Sequence, residues 1–185
     1  MEPIEQLALI IPTLKVTVDQ IQGMQLDDPT PCDGWTVHDV LDHMLVLGNT
    51  FAHLFRGVEP PEPEPPVVYG WVPAAEFRKV MDDLLDAVKS PRAMDRVIAT
   101  PLGELPGRMF ARFVAFDGLV HGWDLATATG LRFDVPVPLV NAVDGFARHA
   151  ITDEMRSAGM FRDPITPPPD ASPLERLAAF TGRSI

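Results

Sequence analysis

From about Arg108 to Thr129 the chain reads as one long helix that stops at Gly130, and this segment constrains the fold most. Most of its apolar residues would pack inward. Yet FDGLVHGWD, residues 116 to 124, carries Asp117, His121 and Asp124 at spacings of four and then three. Residues spaced that way stack along one helix face. At about 100° per residue, Phe110, Val114, Asp117, His121, Asp124, Leu125 and Ala128 fall within about one third of the circumference. The ionisable stripe therefore lies on the apolar face or at its edge, and Phe113 and Val120 extend that face. Leu119 and Trp123 sit toward the opposite side, so the helix is partly apolar all round.

A carboxylate and an imidazole inside a core are costly unless they are paired or bound to a metal. Two readings stay open on these residues. In one, an Asp–His hydrogen bond holds the helices in register. In the other, His and a carboxylate one turn apart reach a single ion. Ligation needs a third donor, and a helix expected from Thr36 to Arg56 offers His38, His43 and His53. Val40, Met44, Leu47, Phe51, Leu54 and Phe55 define its apolar side. His43 lies on the flank of that side, whereas His38 and His53 point away from it and read as surface residues. His149, on a later helix, reads as structural or exposed. Asp124, one turn beyond His121, is placed either to accept from a ligand's ring or to pair with a surface arginine.

The rest of the chain alternates between periodic and broken stretches. Residues 4 to about 23 have helical spacing, with Pro12 expected to kink or divide the helix. DDPTPCDGW, residues 27 to 35, reads as a loop, and Thr36 as the N-cap of the helix that follows, with Asp39 three positions on. GVEPPEPEPPVVYG, residues 57 to 70, reads as an extended connection or flap. Further helices are expected over about Pro73 to Val88, 136 to 158 and 173 to 181, with a small β-hairpin within 95 to 107. The pattern is that of an all-α protein: an antiparallel helical bundle with short extra helices, residues 1–185 forming one domain.

Composition narrows the functions open to such a bundle. Apolar residues make up 46% and charged residues 22%, the balance of an ordinary globular chain. A formal net charge of −11 and the lack of any basic run exclude a nucleic-acid backbone or an anionic membrane surface as partner. No stretch approaches the roughly 20 apolar residues of a membrane span. The acidic start and Pro12 are unlike a secretory signal, and the single cysteine, Cys32, allows no disulfide within the chain, so a cytoplasmic, reducing setting is expected. Cys32 has no neighbouring Cys or basic residue to lower its pKa, and so is not read as a nucleophile. Trp35 and Trp123 read as packing anchors, and Arg108 and Arg112 as solvent-facing charges.

Three segments carry a resemblance: TPCDGWTVHDVLDHML (30–45), AFDGLVHGWDLATATG (115–130) and SPLERLAAFTGR (172–183). Together they resemble the actinobacterial metal-binding proteins of the DinB-like superfamily, relatives of the N-terminal domain of mycothiol-dependent maleylpyruvate isomerase. The resemblance spans nearly the whole length. It implies a DinB-like four-helix bundle holding a divalent metal, with His43, Asp117 and His121 at the ligand positions. Asp117 stands where the isomerase has Glu, one methylene longer, so it would bind directly or through water. Two histidines and one carboxylate suit zinc first, and equally admit nickel, iron or manganese. The activity implied is that of a thiol-dependent transferase or isomerase, the metal activating a low-molecular-weight thiol such as mycothiol toward a small electrophile. A non-catalytic protein that holds a metal or small ligand is the alternative, and a homodimer with a purely structural Asp–His pair is a third.

Overall fold

Helix α1 (Pro3–Val18) buries Leu7, Ile10, Ile11 and Leu14 in the computed structural model, which describes residues 1–61, 74–100 and 103–185. Pro12 does not divide this helix. It sits on the exposed face, where water can serve the carbonyl that lacks a proline N–H partner. The helix ends at Val18, short of residue 23, because the backbone tightens there into three-residue turns, Gln20 N to Thr17 O and Ile21 N to Val18 O.

Helix α2 (Val37–Arg56) starts as its sequence dictates. The Thr36 hydroxyl accepts from Asp39 N at 3.3 Å, and the Asp39 carboxylate accepts from Thr36 N at 2.8 Å, which satisfies two otherwise orphaned donors. Helix α3 (Ala74–Val88) follows. Most of the proline-rich segment 57–70, and Pro73, lie outside the described residues. Strands β1 (Val97–Thr100) and β2 (Gly103–Pro106) form the expected antiparallel hairpin, with Val97 opposite Pro106. It leads into helix α4 (Gly107–Thr129), which closes on Gly130 with φ of 68°, a left-handed cap that glycine adopts without strain.

The helix expected over 136–158 is instead two, α5 (Val137–Ala150) and α6 (Asp153–Ser157). Ile151 is extended, and the Thr152 side chain accepts from Met155 N, starting a new helix. A short hydroxyl side chain competing for backbone donors interrupts the apolar periodicity at that point. Helix α7 (Pro173–Phe180) ends the helical part.

Packing places α1 and α2 across a diagonal: each contacts α3 and α4, and these contacts close a four-helix bundle. Its neighbours are not all antiparallel as the sequence pattern suggests. Glu2–Arg108 and Ile10–Gly118 set α1 parallel to α4, whereas Lys15–Asp82 with Asp19–Arg78, and His43–Asp117 with Phe51–Phe110, set α1 antiparallel to α3 and α2 antiparallel to α4. The 19–36 loop must therefore cross the bundle's end, and it is tied there to α4 by Gln25 Nε2 donating to Thr129 O at 2.9 Å. A Cβ added at Gly118 of α4 would meet Ile10 and Leu14 at 3.3 and 3.5 Å, so α1 and α4 lie close. The far side of α4 is covered by α5 and α7, which explains why it is apolar on nearly every face. The four bundle helices, the short extra helices and the hairpin are the DinB-like architecture that the sequence motifs imply. Among the described residues no helix is long and apolar enough to cross a membrane.

Candidate metal centre

Two helices supply three donors. His43 stands in the N-terminal half of α2, and Asp117 and His121 lie one turn apart on α4. His43 Nε2 is 3.3 Å and His121 Nε2 is 3.5 Å from Asp117 Oδ1. One ligand atom from each of the three lies within 4.8 Å of the others. The packing of α2 against α4 thus turns a sequence separation of 74 residues into one cluster.

The second nitrogen of His121 is spoken for. Nδ1 lies 3.0 Å from Asp124 Oδ2, and Asp124 is wholly buried. The same carboxylate accepts from Arg183, with Nε at 2.9 and 3.0 Å and Nη2 at 2.9 Å. Arg183 Nη1 in turn donates to Thr181 Oγ1 at 3.0 Å. Asp124 therefore does both things its position allows. Its arginine is a largely buried residue that follows α7, not a surface one.

A carboxylate that accepts from a guanidinium has only lone pairs to offer His121, so the hydrogen between them belongs to Nδ1. With that hydrogen on Nδ1, Nε2 is the His121 nitrogen turned toward Asp117. Two imidazole nitrogens and one carboxylate oxygen converge, a donor set whose chemistry fits a divalent transition ion. Enclosure pushes the Asp117 carboxyl up, but His121 and then His43 outweigh it and hold the group below the ordinary carboxylate range. Burial likewise opposes the Arg183 charge, and the Asp124 carboxylate overcomes it, keeping the guanidinium above its usual value.

A cavity of about 670 Å³ opens over these donors. Trp35 forms part of its wall, its ring stacked on His121 at 5.7 Å and edge-on to His43 at 4.9 Å. It braces both imidazoles and is more than the packing anchor its sequence position suggested. Trp123 is buried in the core. Cys32, on the crossing loop, lines the same cavity, and its Sγ falls within 4.8 Å of ligand atoms of His121 and Asp124. Burial pushes the Cys32 thiol up, Arg183 opposes the rise, and Asp124 and Asp117 add to it.

The other candidates lie elsewhere. His38 Nδ1 faces Asp42 at 3.6 Å, and His53 and His149 turn their Nδ1 atoms to carbonyls of their own helices. Arg108 pairs with Glu2 at the surface, and neither it nor Arg112 lines the cavity. Sequence reasoning missed Arg183. The residue lies in the third of the resembling segments, SPLERLAAFTGR, but nothing local to it signals a partner 59 residues earlier.

A model of the mycothiol maleylpyruvate isomerase N-terminal domain matches residues 9–126, which include His43, Asp117, His121 and Asp124 and stop before Arg183. An uncharacterized protein of Mycobacterium tuberculosis strain H37Rv is 32% identical over 169 residues, covering 89% of this chain and 88% of the relative. Its counterpart in strain CDC 1551 matches equally. Among solved structures, a crystal structure of the mycothiol-dependent maleylpyruvate isomerase aligns with a TM-score of 0.60 at 18% identity, over 85% of this chain and 71% of that one. A histidine-to-alanine mutant of that isomerase aligns with a TM-score of 0.57 at 13% identity, over 77% and 66%. At those identities the structural likeness is one of fold.

Proposed function

The chain belongs to the mycothiol maleylpyruvate isomerase N-terminal domain family, and on that footing we propose that residues 1–185 form a single domain holding one divalent ion on His43, Asp117 and His121. We read the activity as transfer or isomerisation, in which a low-molecular-weight thiol, mycothiol first, reacts with a small electrophile. The observation that carries this reading is the convergence of His43 Nε2, Asp117 Oδ1 and His121 Nε2 at one wall of a 670 Å³ cavity.

An ion with three protein ligands keeps coordination positions open and lowers the pKa of a thiol or water that joins it. The chain's own residues have the remaining tasks. Asp124, held by Arg183, keeps the His121 ring turned so that Nε2 faces the cavity. Trp35 fixes the planes of both imidazoles. Apolar walls from α2 and α4 keep bulk water from the reacting groups, which strengthens every electrostatic interaction inside. The net charge of −11 supports a small-molecule partner over a nucleic acid, and the lone cysteine fits a reducing cytoplasmic setting.

The test is loss of free mycothiol thiol when metal-loaded protein is mixed with a panel of small electrophiles. Metal-dependent consumption that His43→Ala abolishes supports a transferase or isomerase. No turnover by fully metallated protein across the panel would leave the non-catalytic binding reading in its place.

A further inference from the structure

We infer that the electrophile taken by this cavity is an uncharged molecule with an apolar body of aromatic size, and not a dicarboxylate. The inference rests on the thiol-and-electrophile reading above and names the substrate class of that same site. It starts from the walls. Phe51, Phe110, Phe113, Phe116 and Phe161 line the cavity. Phe51 meets Phe110 edge-on at 4.9 Å, and Phe116 lies 5.8 Å from Phe161, so two pairs of apolar rings line the space. Such walls bury an apolar ligand favourably and desolvate a charged one at a loss.

A carboxylate entering there needs a cation. Among the described lining residues the guanidiniums are Arg162 and Arg183, and each already faces a carboxylate. All three nitrogens of Arg183 are engaged by Asp124 and Thr181. Arg162 pairs with Asp33 at the exposed rim. Opening that pair frees one guanidinium but strands Asp33 at the same rim, so the charge shown to a ligand is unchanged. The divalent ion of the reading above would bring two positive charges, and Asp117 and the thiolate that joins it would match them. The stretches 62–73 and 101–102 contain no Lys, Arg or His that would alter this balance. Even if the ion accepted one carboxylate of a dianion, the second would meet apolar rings with no cation left over to pair it. The volume of about 670 Å³ is ample for a small aromatic or branched molecule beside a thiol.

Two unreactive probes of like carbon count separate the classes: benzylacetone, which is neutral, and phenylsuccinate, which is a dianion at pH 7. Isothermal titration of each into the protein as purified gives their affinities without any turnover. The inference expects benzylacetone to bind at least about tenfold more tightly, the minimum set by desolvating an unpaired charge. Equal affinities, a preference for phenylsuccinate, or no binding of benzylacetone would each overturn it. Leu47→Lys, placing a cation in the wall, is expected to narrow or reverse the preference. If that variant does not fold, the comparison on the parent protein still decides. Because binding is read without thiol, failure here is distinct from failure of the thiol reaction, which shows as no metal-dependent mycothiol consumption with any electrophile.

Discussion

His121 Nδ1 lies 3.0 Å from Asp124 Oδ2, and this one contact sets which nitrogen His121 presents to the cavity. Replacing Asp124 by Asn keeps the volume but removes the charge that Arg183 grips and the firm demand for a proton on Nδ1. Asp124→Asn should weaken divalent-metal affinity by about 10- to 100-fold, the usual effect of losing a carboxylate behind a ligating histidine. Competition against a chromophoric chelator measures it. An unchanged affinity would mean that Asp124 serves only packing.

Arg183 and Asp124 form a buried pair, and removing one member leaves the other charged and alone. Arg183→Ala is expected to lower unfolding stability by about 3–5 kcal/mol. Arg183→Lys should recover only part, because an ammonium keeps the charge and loses the forked geometry on both carboxylate oxygens. Urea titration of the three proteins reads this directly. A loss below about 1 kcal/mol for the alanine variant would place the pair among those of little consequence.

The Thr36–Asp39 capping box makes a prediction whose sign depends on pH. The Thr36 backbone N–H, and then its hydroxyl, hold the Asp39 carboxyl below its ordinary value. A carboxyl depressed by folding contributes stability above its unfolded pKa and loses it as pH falls through the folded one. Thr36→Ala should therefore cost about 1 kcal/mol at neutral pH, with the difference shrinking below about pH 4 as Asp39 protonates. A difference that stayed constant down to acid unfolding would contradict the box.

Cys32 faces the cavity with a thiol that burial pushes up. Its alkylation by iodoacetamide, followed against pH on chelator-stripped protein, should show a midpoint above that of the same protein unfolded in urea. A midpoint below it would make Cys32 an activated thiol and reopen its role.

How far the sequence revealed this structure depended on the reach of each signal. The one-turn spacing of Asp117 and His121, and the flank position of His43, are local helical facts, and the bundle brings the three side chains together. The capped start of α2, the hairpin and the Gly130 stop were legible for the same reason. Arg183 was not, because its pairing depends on where the last helix docks and no periodicity encodes that. Trp35 was half legible. Its apolar bulk read as packing, but the crossing of the 19–36 loop over the bundle end decides what it packs on. The break at Ile151 lay hidden under an apolar periodicity that continues through it, and Pro12 was tolerated because its missing N–H falls on the solvent side.

The central claim is that His43, Asp117 and His121 hold an ion. The most direct measurement is metal content by plasma mass spectrometry on protein made without a histidine tag, beside a His43→Ala/His121→Ala variant. Near-stoichiometric divalent metal in the parent and none in the variant is the expected result. Metal absent from both after incubation with zinc and nickel, or equal in both, would contradict the claim and leave the three side chains as a hydrogen-bonded strut between α2 and α4.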